Sequence, residues 1–478
     1  MAYDAEDIRK VVAEVLRSPG ISALLAAGIG PGGPVQGGQG LFPDVDSAVQ
    51  AAAAAQRELV RLPLEKRRGV IDAIRAAVIE SNEALSSAAV AETGLGNVQD
   101  KIAKNLLAVS RTPGIEDLEP RAVTDEHGLT LTELAPYGVI GAITPVTNPI
   151  ATVASNAIGM IAAGNSVVFN VHPNARGVSC LLVGMLSRAI VRAGGPGNLV
   201  CAMADPTLES AAELMGHPGV ALLVVTGGPG VVRAAMASGK RSICAGPGNP
   251  PCVVDETADL AKAGKNIVDG AGFDHNIVCT CEKEILAVSA IADRLKEEML
   301  RNGAYELKGG QIDAVTRAVI AEPGGPGRPG VPNRALVGKS SASIAAAAGV
   351  EVPASTRILL MEVTSGHPLV WTEQLMPVLP LVRMRNAGEA MDFAVLAEHR
   401  YRHTAVMHSH DVARLSYMAR SMDCSLFVKN GPSYAGLGLG GAGHASFTIA
   451  SPTGEGVTRP RSFTRERRCT LVDYFRIV

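Results

Sequence analysis

The chain is 478 residues long, enough for two or three domains with ample core. A net charge of −2 excludes a basic surface as the basis of function, so no nucleic-acid or anionic-membrane partner is expected. Hydrophobic residues make up 47 % but aromatics only 3 %, so the core is built from Ala, Val, Ile and Leu, a composition suited to parallel sheets covered by helices.

Residues 1–20 stand apart. Asp4 can cap a helix running to about Leu16, with Ile8, Val11, Val12, Val15 and Leu16 on one apolar stripe and charges on the other face. Ser18-Pro19-Gly20 ends it, and the Gly/Pro-rich run at 28–40 reads as a flexible linker. A tethered amphipathic helix has little core of its own and is expected to dock on a partner or on its own domain. From Asp46 the pattern is helical, through Pro63, which restarts a helix, to beyond Lys104; none of this stretch is expected to carry chemistry. Leu129–Leu134 alternates like an edge strand or hairpin.

From Pro136 the rhythm becomes strand–helix alternation. Strands are expected at Val139–Thr144, Ser166–Val171, Leu199–Met203 and Val220–Val225, with helices between them and a final helix to about Ser238. Such repeats predict a doubly wound parallel sheet, whose ligands bind at the carboxyl ends of the strands. The candidate contacts are therefore Thr144–Asn148, Asn170–Pro173 and Thr226–Val231. The Thr226-Gly227-Gly228-Pro229-Gly230 turn leads into a helix and favours a phosphate or pyrophosphate. Gly436, Gly438 and Gly441 also fit a dinucleotide-type spacing, but a strand rather than a helix is expected after them, so they are read as turns.

The second half repeats the α/β mixture. It holds Gly272-Phe273-Asp274-His275-Asn276-Ile277-Val278-Cys279-Thr280-Cys281-Glu282-Lys283, where flanking Gly270 and Gly272 suggest close approach by a substrate. A helix is expected near Ile291–Arg301 and a Gly/Pro-rich loop at Glu322–Pro332. Arg459, Arg461, Arg465, Arg467 and Arg468 precede a strand-like end at Cys469–Val478. The eight cysteines (Cys180, Cys201, Cys244, Cys252, Cys279, Cys281, Cys424, Cys469) form neither a CxxC pair nor a disulfide framework, and read as reduced cytosolic thiols. No metal site, signal peptide or bilayer-spanning apolar run is expected.

Several runs, in order, resemble the aldehyde dehydrogenase superfamily, and within it the CoA-acylating branch of bacterial microcompartments (propanediol- and ethanolamine-utilisation types). They include Ala135-Pro136-Tyr137-Gly138-Val139-Ile140-Gly141, Asn148-Pro149, Ala163-Gly164-Asn165-Ser166, Thr226-Gly227-Gly228-Pro229-Gly230, Ala245-Gly246-Pro247-Gly248-Asn249, Glu373-Gln374-Leu375-Met376-Pro377, Arg402-His403-Thr404-Ala405 and Val428-Lys429-Asn430-Gly431-Pro432. The resemblance covers about 43–478. It implies an α/β chain with two doubly wound domains, a nucleotide-binding one at 43–242 bearing a bridging hairpin at 120–135, and a catalytic one at 243–435. Residues 436–478 become a return segment and oligomerisation tail, 21–42 a linker, and 1–20 an encapsulation peptide.

The resemblance also assigns roles. Cys279 looks like the nucleophile and Asn148 like the oxyanion-hole amide. Thr144, Pro145, Asn170, His172, Pro173, Thr226, Gly227, Gly228, Gly230 and Val231 fall where the family holds NAD, and Glu373 and Pro377 fall in the run that meets the nicotinamide ribose. Val278, Thr280, Cys281 and His403 are expected to line the substrate pocket. Val278 replaces the branch's usual proline, and Cys281 adds a second thiol; in an extended segment the two thiols would point the same way. The implied reaction is NAD-dependent oxidation of a short-chain aldehyde such as ethanal or propanal to acyl-CoA. The implied partners are coenzyme A and a microcompartment shell protein docked on residues 1–20, and the implied state is a homodimer or homotetramer in the cytoplasm, in a microcompartment lumen. The alternatives are a hydrolytic enzyme releasing free acid and a non-catalytic shell-docking member. Ala245 stands where hydrolytic members place their glutamate base, which favours CoA thiol over water as acyl acceptor.

Overall fold

The computed structural model describes residues 40–478; the expected N-terminal helix and most of the linker lie outside them. The described chain opens with β1 (Leu41–Phe42), an edge strand within the stretch expected as linker, where the Gly40 carbonyl accepts from the Ala202 amide at 2.8 Å. Four helices follow: α1 (Val45–Leu59), α2 (Leu64–Glu80), α3 (Asn82–Thr93) and α4 (Val98–Arg111). Asp44 caps α1 and Asn97 caps α4, each accepting from a backbone amide three residues on. A hairpin, β2 (Arg121–Asp125) and β3 (Gly128–Pro136), then leads into the alternating region.

That region runs β4 (Val139–Ile143), α5 (Pro149–Ala162), β5 (Ser166–Asn170), α6 (Arg176–Arg192), β6 (Val200–Met203), α7 (Leu208–Gly216), β7 (Val220–Thr226), α8 (Pro229–Ala237) and β8 (Ser242–Ala245). The sheet has the order β1-β6-β5-β4-β7-β8, all parallel. From β4 the chain winds outward through β5 and β6, then returns to place β7 on the other side of β4. The β4/β7 junction is thus the switch point, where a crevice opens at the carboxyl ends. Helix α5 is buried along its whole length, consistent with a sequence that is apolar on every face.

The second half carries β9 (Pro251–Val254), α9 (Leu260–Gly272), β10 (Glu284–Val288), α10 (Ala292–Arg301), β11 (Ala304–Leu307) and α11 (Gly310–Val319). A small hairpin, β12 (Ile320–Glu322) with β13 (Val331–Pro332), pins the Gly/Pro-rich loop. Then come α12 (Ser341–Ala347), β14 (Ile358–Val363), β15 (Val378–Met384), α13 (Ala387–Ala397), β16 (Thr404–His408), α14 (Val412–Met422) and β17 (Leu426–Lys429). Seven parallel strands form the order β11-β14-β15-β10-β9-β16-β17. The boundary expected at 242/243 falls inside β8, so the first sheet ends at Ala245 and the second begins at Pro251.

The chain then returns to the first half. β18 (Ile449–Ala450) pairs with β19 (Gly456–Val457), a shorter strand than expected at Ala445–Ala450. Gly441 is a packing glycine: a Cβ there would come within 2.2 Å of the Ala435 carbonyl oxygen, and no helix follows it. Finally β20 (Thr464–Val472) pairs antiparallel with β3, Thr464 against Pro136 through Val472 against Gly128. The strand begins earlier than expected because its partner is the whole length of β3. Pro173–Arg192, largely α6, is long and apolar enough to cross a bilayer, contrary to expectation, but 67 % of its most apolar window is buried inside the protein, as in a core helix.

Candidate active site

The switch-point crevice collects the expected nucleotide contacts. Thr144 follows β4, Asn170 ends β5 with His172 two residues beyond it, and Thr226 ends β7. The Thr144 hydroxyl is buried without a hydrogen-bond partner. Gly228 caps α8 with Pro229 at its first position; Pro229 has no N–H and the Val231 and Val232 amides donate to the Gly228 carbonyl at 3.1 and 3.2 Å, which leaves the Gly230 amide at the helix start. At Gly228 and Gly230 an added Cβ would meet nothing within 4 Å, and at Gly227 only the Val231 side chain at 3.8 Å. These glycines leave space that the protein itself does not fill, as a pyrophosphate cradle requires. Asn170 is engaged elsewhere: it accepts from Ser210 Oγ at 2.6 Å and donates to the Thr207 carbonyl at 3.2 Å, fixing the start of α7. His172 Nδ1 accepts from the Asn174 amide, and burial lowers its pKa below the ordinary value. Pro145 and Pro173 flank the mouth, whereas Pro377 is buried and its carbonyl accepts from the Leu359 amide at 2.8 Å. A crevice of glycines, the Gly230 amide and an unpaired hydroxyl fits an adenine dinucleotide or the pyrophosphate of coenzyme A.

The loop that carries Cys279, the candidate nucleophile, lies between α9 and β10. Asp274, His275 and Asn276 all have positive φ (46°, 54° and 65°), a left-handed run that non-glycine residues adopt only when held. The holding groups are explicit. Asn276 Nδ2 donates to the Ala271 and Glu282 carbonyls at 2.8 and 3.0 Å, and its Oδ1 accepts from buried Lys283 Nζ at 2.6 Å. Lys283 also reaches the carbonyls of Asn276 and Val278, so one ammonium gathers the turn below Cys279.

The segment Val278–Cys281 is a turn, closed by the Cys281 amide donating to the Val278 carbonyl at 3.0 Å, and not the extended run expected. The two thiols therefore part company. Cys279 is half-buried, while Cys281 is fully buried in an apolar cluster with Phe273, Val278 and Leu437, its sulfur 3.8 Å from the Phe273 carbonyl oxygen. Val278, Thr280 and His403 are buried too, so all four expected pocket residues are buried, and Cys279 and Glu373 beside them retain partial exposure. Gly270 and Gly272 belong to the end of α9, and Gly270 makes room for a side chain rather than a substrate. A Cβ there would sit 2.3 Å from Glu282, whose carboxylate accepts from the Ser433 amide and hydroxyl at 2.8 and 2.7 Å.

Gly248 is the junction of the site. Its amide donates to Glu373 Oε1 at 3.1 Å, and a Cβ on it would lie 3.0 Å from the Cys279 carbonyl oxygen and 2.9 Å from His403 Cγ. The Ala245–Gly248 run thus brings Cys279, Glu373 and His403 together while offering no acid of its own. Burial, then the nearby Glu373 carboxylate, pushes the Cys279 thiol up to about 12 against the opposing pull of Lys283 and Lys104. Burial lifts Glu373 to about 7 and drops His403 to about 4, leaving a neutral imidazole whose Nδ1 faces the Thr404 hydroxyl at 2.8 Å.

Helix α4, expected to be inert, reaches this site. Lys104 Nζ donates to Asn148 Oδ1 at 2.5 Å and pairs with the Asp274 carboxylate, which Lys101 also meets at 3.1 Å. Asp274 Oδ1 accepts from the Asn97 amide and its own amide donates to Asp100 Oδ2, both at 2.8 Å. The sequence does carry a signal: Lys101 and Lys104 share the stripe of α4 that holds buried Leu107 and Ala108, where solvated lysines do not belong. Among the described residues, no group of His, Cys, Asp and Glu could hold a metal ion.

Comparison with known proteins shows the family. Residues 39–318 match the aldehyde dehydrogenase family. Over 99 % of both chains the protein is 48 % identical to an acetaldehyde dehydrogenase (acetylating) of Bilophila wadsworthia. It is similar to the crystal structure of Rhodopseudomonas palustris propionaldehyde dehydrogenase with bound CoA and an acylated cysteine, at TM-score 0.88 and 47 % identity over 91 % of this chain and 98 % of that one. A propionaldehyde dehydrogenase from the Clostridium phytofermentans fucose utilisation bacterial microcompartment aligns at TM-score 0.89 and 44 % identity, over 92 % of this chain and 100 % of the other. With a family match over more than half of its residues and these relatives spanning nearly its full length, the chain belongs to the aldehyde dehydrogenase family.

Proposed function

We propose that the protein oxidises a short-chain aldehyde to its acyl-CoA, with Cys279 as nucleophile and Asn148 as oxyanion donor. The observation that carries this reading is the wall beside Cys279. Gly248 packs against the Cys279 carbonyl, and the run leading to it, from Ala245, carries no carboxylate to activate water. The carboxylate that is present, Glu373, is held by the Gly248 amide through Oε1 and takes the Cys279 proton, so it is a neutral carboxyl, not a base for water, when the thioester stands.

The Cys279 thiol loses its proton and the sulfur adds to the aldehyde carbon, moving the C=O pair onto oxygen. The second hydrogen of Asn148 Nδ2, the first being turned to Thr147 Oγ1, meets that oxyanion. A carboxyl near neutrality, as Glu373 is, suits the transfer of the thiol proton. NAD⁺, held by Thr144, His172 and Thr226–Val231, supplies the hydride acceptor. Collapse of the oxyanion expels hydride from carbon and leaves a thioester on Cys279. The thiolate of CoA, entering the same crevice through its own pyrophosphate, attacks the acyl carbon and releases the Cys279 thiolate.

The test is NADH formation from ethanal or propanal with and without CoA, with the acyl product identified. Acyl-CoA in step with NADH, and CoA competing with NAD⁺, support the reading; stoichiometric free acid without acyl-CoA would refute it. Residues 1–20 complete the proposal as a tag that docks the enzyme inside a microcompartment, and the β2–β3–β20 sheet, with exposed Val123, Leu471 and Val472, as the surface joining subunits into a dimer or tetramer. Fusion of residues 1–42 to a fluorescent protein tests the tag; sedimentation of a Val123→Lys, Leu471→Lys double variant tests the sheet.

A further inference from the structure

Lys101, Lys104 and Asp274 form a buried cluster whose charges do not balance. All three side chains are at least nine-tenths buried, and two ammonium groups share one carboxylate. Asp100, half-buried, bonds the Asp274 amide and Asn97 Nδ2 through Oδ2 and offsets Lys101 only through space, without an ion pair to either lysine. A buried cation without its own anion is costly, so a protein that keeps one has a use for it. Lys104 shows the direction of that use. Its ammonium lies between Asp274 and Asn148, the residue at the cap of α5, and donates to the amide oxygen.

An ammonium can only donate, so its contact at 2.5 Å fixes which end of the Asn148 amide faces it. The oxygen is held by lysine, and the NH2 group is turned to Thr147 Oγ1 and to the open side. The same contact polarises the amide and makes its N–H groups stronger donors. The charged groups acting on the Cys279 thiol are Glu373, Lys283 and Lys104; Lys283 is gathered into the turn by neutral oxygens, while Lys104 faces Asp274, Lys101 and Asn148.

We propose that Lys104 is a positioning residue for aldehyde oxidation: clamped by Asp274, it sets the Asn148 amide with its N–H groups toward the reacting carbonyl and places only partly compensated positive charge behind both the Cys279 thiolate and the oxyanion. In the free enzyme the surplus charge awaits an anion. That anion forms twice, as thiolate before addition and as alkoxide after it. The resting site and the reacting site therefore differ by the one negative charge left when Cys279 loses its proton, carried first on sulfur and then on the substrate oxygen. This inference rests on the reading of Cys279 as nucleophile and Asn148 as its oxyanion donor.

The experiment uses the full-length enzyme and three substitutions, Lys104→Met, Lys104→Gln and Asp274→Asn. It follows steady-state kcat, KM for NAD⁺, and the pH dependence of Cys279 alkylation by iodoacetamide, read from the mass of the Cys279 peptide. Lys104→Met is expected to lower kcat about 10²-fold with KM for NAD⁺ little changed, and to raise the alkylation midpoint by about one pH unit. Lys104→Gln keeps a donor for Asn148 without the charge, so its midpoint rises as much while kcat falls less. Asp274→Asn increases the surplus and moves the midpoint down, which a clamp that merely fastens α4 to the loop would not do. If Lys104→Met does not fold, the other two carry the test. Wild-type midpoints in all folded variants would overturn the inference alone. Turnover and acylation that persist in Cys279→Ser would overturn the reading beneath it as well.

Discussion

The crevice of the first sheet and the loop at the amino end of β10 meet at one site but are built from opposite materials. The crevice consists of glycine, threonine and open backbone, with space above Gly228 and Gly230 that nothing in the protein occupies. The loop is a strained left-handed turn crossed by Lys101, Lys104, Asp274, Asn276 and Lys283, with almost every polar atom bonded to a neighbour. The difference follows from what each must do. A large, mobile ligand that exchanges in every cycle is best held by a surface that asks little of the free enzyme. A reacting sulfur needs its surroundings fixed before the charge appears.

If that contrast is right, damage to the two regions separates cleanly. The largest effect belongs to the sulfur: Cys279→Ser is expected to lower kcat by at least about 10³-fold in the NADH assay while dinucleotide affinity by fluorescence is retained. Next comes the loop's support. At Gly96, with φ +70°, a Cβ would lie 1.9 Å from Asp274 Oδ1, so Gly96→Ala displaces the carboxylate that clamps both lysines. Its kcat is expected to fall about 10²-fold, with a destabilisation of about 2–3 kcal/mol in urea unfolding. In the crevice the pattern inverts: Gly228→Val fills open space, so KM for NAD⁺ and for CoA both rise about tenfold while the melting temperature stays within about 2 °C. A Gly228→Val protein that unfolds instead would show that the fold depends on the crevice as much as on the loop.

A smaller effect sharpens the description of buried charge. Both carboxyl oxygens of Glu284 are buried without partners, and burial, then Glu398, hold its pKa well above the ordinary range. A carboxyl raised in the folded state contributes its full stability below its unfolded value, about 4.3, and loses it as pH rises toward the folded value. Glu284→Gln is therefore expected to raise the melting temperature by a few degrees at pH 8, about 3 °C, and to gain less near pH 5. The smallest effect is on turnover in Cys281→Ala: with its sulfur in the apolar cluster away from the opening, kcat should stay within about twofold.

The strand–helix alternation from Val139 is legible in the sequence because each strand is buried on both faces and reads as a continuous apolar run. The same rhythm places Thr144, Asn170 and Thr226 at the strand ends, where topology alone brings ligands. The loop is less legible. That Cys279 and Cys281 part company depends on a turn closed by Cys281 and Val278, which no spacing reveals and which alternation misstates. Lys101 and Lys104 are visible as lysines in an apolar stripe, but their partner Asp274 is remote in sequence and shares no local pattern with them. Gly270 shows the converse: a glycine that reads as room for substrate is room for Glu282.

The return of residues 449–472 to the first half has a consequence for how the protein is made. Ala450 and Phe463 belong to the core of the first sheet, Phe463 lies against Gly159, and the Phe463 carbonyl accepts from Asn165 Nδ2 at 2.9 Å. Until β20 has been synthesised, β3 presents a bare edge and that core lacks two of its members. The first half therefore cannot mature as it leaves the ribosome; it must wait, part-open, for the second half to be translated. This is a period in which a chaperone has something to hold, and in which a nonsense mutation ahead of residue 449 would disable both halves rather than one.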